Sequence, residues 1–331
     1  MALETKGLTG TDLAGGRYRV ASELGAGGMA HVYLALDRLD KRQVVIKVPR
    51  QAMLEDPEFA GRFVREAKSL VRLVHPHIAK ILDAGDHEGR PYLVLEYLSG
   101  GSLRDHMANG PLSVENLQTW LPGIASALDF CHANECVHRD VKPDNILFDG
   151  RGTAYLSDFG IAKVMSKSPK TKMTVMTGAG MVLGTAQYMA PELVMGKKYD
   201  GKADQYGLAV TVYECLAGRV PFTGNTPMAV IVEQSTKEVP PLKSVAPSVS
   251  TKVSEFVQKA LAKDPNGRFP NCASLAQAVV GAKRDGLNDG SARITGKSPP
   301  NAVPIAEPAH CTTVCPGCQK HFKLTAENLG K

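Results

Sequence analysis

The rhythm of apolar and polar positions changes near residue 100 of the 331-residue chain. Before that point, short alternating runs dominate. Residues 18–24, 31–36, 43–48, 78–83 and 90–97 each carry the period-two pattern of a half-buried strand. The first two runs are joined by the glycine-rich turn Gly25-Ala26-Gly27-Gly28-Met29-Ala30, and the last two by a turn over residues 85–89. Five antiparallel strands are predicted, with one helix inserted after the third.

That helix starts at Asp56-Pro57-Glu58, where a capping residue, a proline and an acid fall in the right order. Phe59, Phe63, Ala67, Leu70, Val71 and Val74 then mark an apolar face, and Glu66 falls on that face. A carboxylate there requires a cation. Lys47, set in the apolar run Val44-Val45-Ile46-Lys47-Val48, is the predicted partner, because a lysine in such a run is costly unless paired. His75-Pro76 ends the helix, and Leu98-Ser99-Gly100-Gly101-Ser102 breaks the strand pattern at a boundary between two lobes.

Beyond the boundary the periodicity is helical. From Ser113, the residues Leu117, Trp120, Leu121, Ile124, Leu128 and Cys131 line one face. Residues 204–217 are apolar on nearly every side and predict a buried helix; residues 228–234, 253–262 and 272–282 predict amphipathic ones. Between the first of these helices and the buried one lie two polar runs next to short apolar segments: His138-Arg139-Asp140-Val141-Lys142-Pro143-Asp144-Asn145 and Ser157-Asp158-Phe159-Gly160. Polar groups at strand ends can be aimed into a cleft, which points to a phosphoryl-transfer site. A long polar segment, residues 161–183, follows and reads as a functional loop.

The net charge of +6 is mild, and the basic residues alternate with acids, so no nucleic-acid partner is expected. No apolar run is long enough for a membrane span. Residues 1–17 lack a signal-peptide core and read as a flexible lead-in. Cys131, Cys136, Cys215 and Cys272 are scattered through apolar segments as reduced packing residues, and a reducing cytoplasm is the expected compartment. Residues 283–309 form a Gly-, Pro- and Ser-rich linker to a cysteine-rich tail, residues 310–331.

The ordered set of glycine loop, strand lysine, helix glutamate, His-Arg-Asp with Asn145, Asp-Phe-Gly and Ala190-Pro191-Glu192 resembles the eukaryotic-like serine/threonine protein kinases of bacteria, over residues 18–282. The resemblance implies an α+β, bilobal fold. Its small lobe, residues 18–98, is an antiparallel sheet with one main helix, and its larger lobe, residues 99–282, is mostly helical. It also implies ATP, Mg²⁺ and protein substrates. In that scheme Leu24, Gly25, Ala26, Gly27, Gly28, Met29, Ala30, His31 and Val32 cover ATP. Lys47 holds the α- and β-phosphates and is oriented by Glu66, while Asn145 and Asp158 hold Mg²⁺. Asp140 takes or orients the acceptor proton, Lys142 steadies the phosphoryl group, and Thr185 lines the acceptor pocket. Adenine sits between Val32 and Val45 above and Leu147 below, with Leu95 at the back and the backbone of Glu96 and Leu98 at its edge. Val45 replaces the family's usual alanine, and Ala30 replaces the third glycine.

Three further expectations follow from the resemblance. Glu192 pairs with Arg268, Asp204 anchors the backbone of the His138–Asp140 turn, and Leu70, His138 and Phe159 stack in a spine. Arg139 is placed to receive a phosphate on the long loop, with Thr174 and Thr177 as the leading acceptors, which implies autophosphorylation in trans through a homodimer. The tail motif Cys315-Pro316-Gly317-Cys318 looks like half a zinc ribbon, a Zn²⁺ pair to which Cys311 and His310 or His321 could add, or a truncated remnant. A pseudokinase scaffold would lack Lys47, Asp140, Asn145 or Asp158, and all are present. A kinase of small molecules is the other alternative; Lys142 and the segment around Ala190-Pro191-Glu192 favour protein substrates.

Overall fold

The structure, a computed structural model, describes residues 7–26, 30–54, 63, 71, 73–158, 183–282, 311–314 and 321–324. Contacts between Cα atoms divide the chain into two units, Met1–Leu287 and Asn288–Lys331.

In the first unit the strands form a six-stranded antiparallel sheet rather than a five-stranded one. The strands are β1 (Asp12–Leu13), β2 (Tyr18–Ala26), β3 (Ala30–Asp37), β4 (Arg42–Pro49), β5 (Ile81–His87) and β6 (Arg90–Glu96), in the spatial order β1-β2-β3-β4-β6-β5. For residues 12–13 the extra strand corrects the reading of residues 1–17 as a flexible lead-in: Asp12 and Leu13 pair with Arg19 and Tyr18. Leu8 and Leu13 are buried on the sheet face that also packs Tyr33, Val44, Ile46 and Val94. A two-residue strand has no periodicity, so only its tertiary partners reveal it.

The last hairpin also differs from expectation. β5 runs on to His87, and the turn is the dipeptide Glu88-Gly89. Both residues have positive φ, 53° and 78°, which is the tight hairpin turn whose twist matches the strands. Asp86 secures it by accepting a hydrogen bond from the Gly89 amide at 2.9 Å. Apart from Phe63, Val71, Leu73 and Val74, the helix expected from Asp56 lies outside the described residues. Val71 and Val74, assigned from periodicity to its apolar face, are exposed. Pro76 disfavours helical backbone in the preceding residue, so the chain leaves the helical path here.

The larger lobe is built around α1 (Leu121–Ala133) and α2 (Lys202–Ala217), with α3 (Pro227–Thr236), α4 (Thr251–Ala260) and α5 (Cys272–Gly281) around them. The single helix expected from Ser113 is broken. Val114–Gln118 forms a short helix capped by Ser113, and Trp120 leaves helical geometry before α1. Pro122 is the cause, since it has no N–H to continue the ladder and is suited to the first turn of a new helix. α2 is buried on nearly all sides and ends at Gly218 in the left-handed conformation (φ 71°).

The buried carboxylates Glu192 and Glu214 of this lobe are both paired. Arg268 donates to both carboxylate oxygens of Glu192 at 2.7 and 2.9 Å, as expected, and the pair is almost fully buried. Glu214, inside α2, is met by Arg104 and Tyr188. The lobes join where Ala79 donates to the Leu156 carbonyl and Leu156 to the His77 carbonyl. No helix among the described residues is long and apolar enough to cross a membrane. The second unit holds a β-hairpin, β9 (Cys311–Val314) paired antiparallel with β10 (His321–Leu324).

Candidate active site

Strand register sets the upper wall. Val32, Lys47 and Leu93 lie opposite one another across β3, β4 and β6, and so do Leu34, Val45 and Leu95. Opposed residues share a sheet face. Val32, Val45, Leu95 and Lys47 therefore occupy one face, and Val44, Ile46 and Tyr33 pack on the other. Of the expected glycine-loop residues, Leu24, Gly25 and Ala26 end β2, with Leu24 half-exposed. Ala30, His31 and Val32 begin β3, where His31 Nδ1 is 2.8 Å from Glu23 Oε1. Gly27, Gly28 and Met29 lie outside the described residues.

Below the sheet, Leu147 sits in the short strand β7 (Ile146–Phe148), which pairs with β8 (Ala154–Leu156) and bridges to Ser102. Between the walls, Glu96 ends β6; its carboxylate accepts from the Lys80 amide at 2.7 Å, leaving Leu98 at the start of the crossing between lobes.

The catalytic-loop candidate is held from beneath by α2. The Asp204 carboxylate, fully buried, accepts the backbone N–H groups of His138 at 2.8 Å and Arg139 at 2.7 Å. It also bonds His132 Nε2 at 2.7 Å. α2 approaches closely because of Gly207: a methyl there would sit 3.0 Å from the Val141 carbonyl oxygen. His138 bridges the two polar runs, from Nε2 to the Ser157 carbonyl at 2.7 Å and from Nδ1 to the Asp140 amide at 3.3 Å. With Nε2 donating and Nδ1 accepting, one neutral tautomer satisfies both contacts.

This scaffold converges on Asp140. Its carboxylate accepts from Lys142 Nζ at 2.8 and 3.0 Å and from Asn145 Nδ2 at 2.9 Å. Lys142 also donates to Thr185 Oγ1 at 3.2 Å, so the segment after residue 183 returns to the same point. Opposite, the Lys47 ammonium is paired with the Asp158 carboxylate. Burial pushes the Lys47 ammonium down from its ordinary 10.5 to about 8, and the Asp140 carboxylate pulls the other way. The expected partner Glu66 lies outside the described residues, as do Leu70, Phe159, Thr174, Thr177, Cys315 and Cys318. Arg139 and Asp158 both have left-handed backbone, φ 69° and 67°, a strained conformation that concentrates at functional sites.

Several contributors were not read from the sequence. His132 is the third partner of Asp204, and Tyr199 lies under the Arg139 guanidinium at 5.0 Å. Arg104 contacts Asp144, Tyr188 and Glu214. These pairings span up to 110 residues, and no local pattern marks them.

Residues 18–280 match the protein kinase domain family. The chain belongs to that family. It is 38% identical over 276 residues to the serine/threonine-protein kinase PrkC of Bacillus subtilis, covering 83% of this chain and 42% of that protein. It is 34% identical over 303 residues to the serine/threonine-protein kinase PknB of Mycobacterium tuberculosis, covering 90% and 46%. Among solved structures it resembles the kinase domain of Mycobacterium tuberculosis PknI, with a TM-score of 0.64, 31% identity, and coverage of 82% of this chain and 97% of that one. The chain thus spans less than half the length of these curated relatives. The bilobal kinase fold is as expected, and family membership implies ATP and Mg²⁺. The donors present suit a hard cation: Asp158, paired with the buried Lys47, offers carboxylate oxygens, and Asn145, bonded to Asp140, offers an amide oxygen.

Proposed function

We propose that the chain transfers the γ-phosphoryl group of ATP to serine and threonine hydroxyls of proteins. The observation that carries this is the convergence of Asp140, Lys142, Asn145 and Thr185 opposite the Lys47–Asp158 pair. In this reading Lys47 neutralises the phosphates, and Asn145 and Asp158 would hold Mg²⁺, which supplies charge neutralisation when bound. The Asp140 carboxylate orients the acceptor hydroxyl and receives its proton. Lys142 bridges Asp140 and Thr185, which places its ammonium where charge develops on the transferred group. Val32, Val45, Leu95 and Leu147, with the backbone of Glu96 and Leu98, form the adenine slot.

Arg139 links the site to phosphorylation of Thr174 or Thr177 in trans by a second copy. In the tail, Cys315 and Cys318 fall in the connection between the paired strands β9 and β10, which supports a Zn²⁺-binding pair. The burial of Cys131, Cys136, Cys215 and Cys272 as packing residues supports a reducing cytoplasm. The deciding experiment is transfer of labelled γ-phosphate to a serine- and threonine-rich protein and to the enzyme itself. Wild type should label both and Asp140→Asn neither; equal labelling by the two proteins sinks the assignment.

A further inference from the structure

One cluster beside the acceptor site has no part in phosphate chemistry. Asp144 lies in the turn Pro143–Asn145, directly after Lys142 and before Asn145, both of which bond Asp140. Tyr188 follows Thr185 and donates its backbone N–H to the Thr185 carbonyl at 3.3 Å. Arg104, from the short helix Leu103–His106, reaches between these two elements. Its Nη1 donates to Glu214 Oε1 at 2.5 Å, and its Nη2 to the Tyr188 hydroxyl at 2.6 Å and Asp144 Oδ2 at 3.2 Å. The Tyr188 hydroxyl in turn donates to Glu214 Oε2 at 2.5 Å. Exposure is graded outward: the side chain of Glu214 is 10% exposed, Arg104 39% and Asp144 51%.

Two carboxylates flanking the acceptor position would form a binding site for an arginine or lysine of the protein substrate. Here a guanidinium from the chain itself already lies between them. A tethered group holds its site at a far higher effective concentration than a passing peptide. Arginine is always charged, and its planar fork satisfies two carboxylates at once. Resting on the kinase reading above, we propose that Arg104 is a built-in counter-ion that fills an acidic substrate subsite formed by Asp144 and Glu214. It thereby cancels selection for basic residues near the acceptor hydroxyl. Arg104 is in this sense a specificity-determining residue, acting by occupying the subsite rather than by touching the reacting atoms.

The test uses the full chain with serine peptides in an alanine background, carrying Arg, Ala or Glu at each position on either side of the acceptor. For wild type, the Arg and Ala peptides should differ in kcat/KM by less than about fivefold at every position, the range of an exposed ion pair. Arg104→Ala should phosphorylate the all-alanine peptide and prefer Arg by about tenfold or more at one or more positions, as for a charge-assisted hydrogen bond. Adding Asp144→Asn should collapse that preference. If Arg104→Ala does not unfold cooperatively, Arg104→Gln/Glu214→Gln leaves no buried charge, bares Asp144, and should show the same gain. A wild-type preference for basic peptides overturns the proposal, as does a folded, active variant with unchanged selectivity. Absence of phosphate transfer to any peptide by wild type would instead sink the kinase reading.

Discussion

Lys47 combines two demands that conflict. It sits on a sheet strand with its side chain largely buried, which favours the neutral amine, yet its proposed work needs the ammonium. Its value of about 8 lies below the ordinary 10.5, so between these pH values the unfolded chain holds more protons than the folded one. Stability therefore rises with pH across that window as the burial penalty is relieved. ATP binding has the opposite sign. Bound phosphates favour the ammonium, so above about pH 8 binding must take up a proton. The KM for ATP should be flat below about pH 8 and climb above it, measured by initial rates at saturating acceptor. Lys47→Arg keeps its charge throughout and should lose the climb, whatever its absolute rate. An unchanged pH profile in Lys47→Arg would assign the titration to another group. At this scale the sequence made Lys47 conspicuous, because one cation in an apolar run is costly. It could not show Arg104 or Tyr199, whose partners are distant in sequence and whose immediate neighbours look like ordinary surface.

Among the elements, α2 does the most to fix the site. Its Asp204 holds the backbone of His138 and Arg139, and its Gly207 lets the loop come close. Asp204→Asn replaces an acceptor of several N–H groups by an amide with one oxygen, so an N–H is left facing an NH₂. A loss of about 2–3 kcal/mol is expected in urea denaturation, within the range for hydrogen bonds to charged groups, together with a lower kcat. A fall in kcat without loss of stability would mean that Asp204 positions the loop but does not hold the fold. The Glu192–Arg268 pair provides a contrasting test. Arg268→Ala strands a buried carboxylate and should cost about 3–5 kcal/mol, whereas Arg268→Met/Glu192→Leu should recover much of it, because two apolar groups leave no orphan charge. Element type was legible wherever periodicity ran for several residues, as in β3, β4 and α2. It failed at β1, too short to have a period, and at Trp120, where Pro122 overrides a continuous apolar stripe.

On the scale of the whole molecule, the activation in trans proposed above would make chemistry in one chain depend on a modification made by another. The Arg139 guanidinium stacks over Tyr199 with left-handed backbone, both its amide and that of His138 fixed by Asp204. Its aim is thus set by the same carboxylate that sets Asp140, and a phosphate drawn to Arg139 would bear directly on the catalytic loop. If the loop threonines are modified by a second copy, labelling per molecule should rise in proportion to enzyme concentration at early times; a cis reaction would show no such dependence. Mixing excess Asp140→Asn with wild type separates the two routes, since the inactive chain should be labelled at Thr174 or Thr177 only if phosphorylation crosses between molecules. Arg139→Gln should then shrink the rate difference between phosphorylated and unphosphorylated enzyme, because a neutral amide loses the charge-assisted bonds that a phosphate makes with a guanidinium. Labelling confined to the active chain, or activation unaltered in Arg139→Gln, would detach the loop from the catalytic centre and leave the Arg139–Tyr199 stack as packing alone.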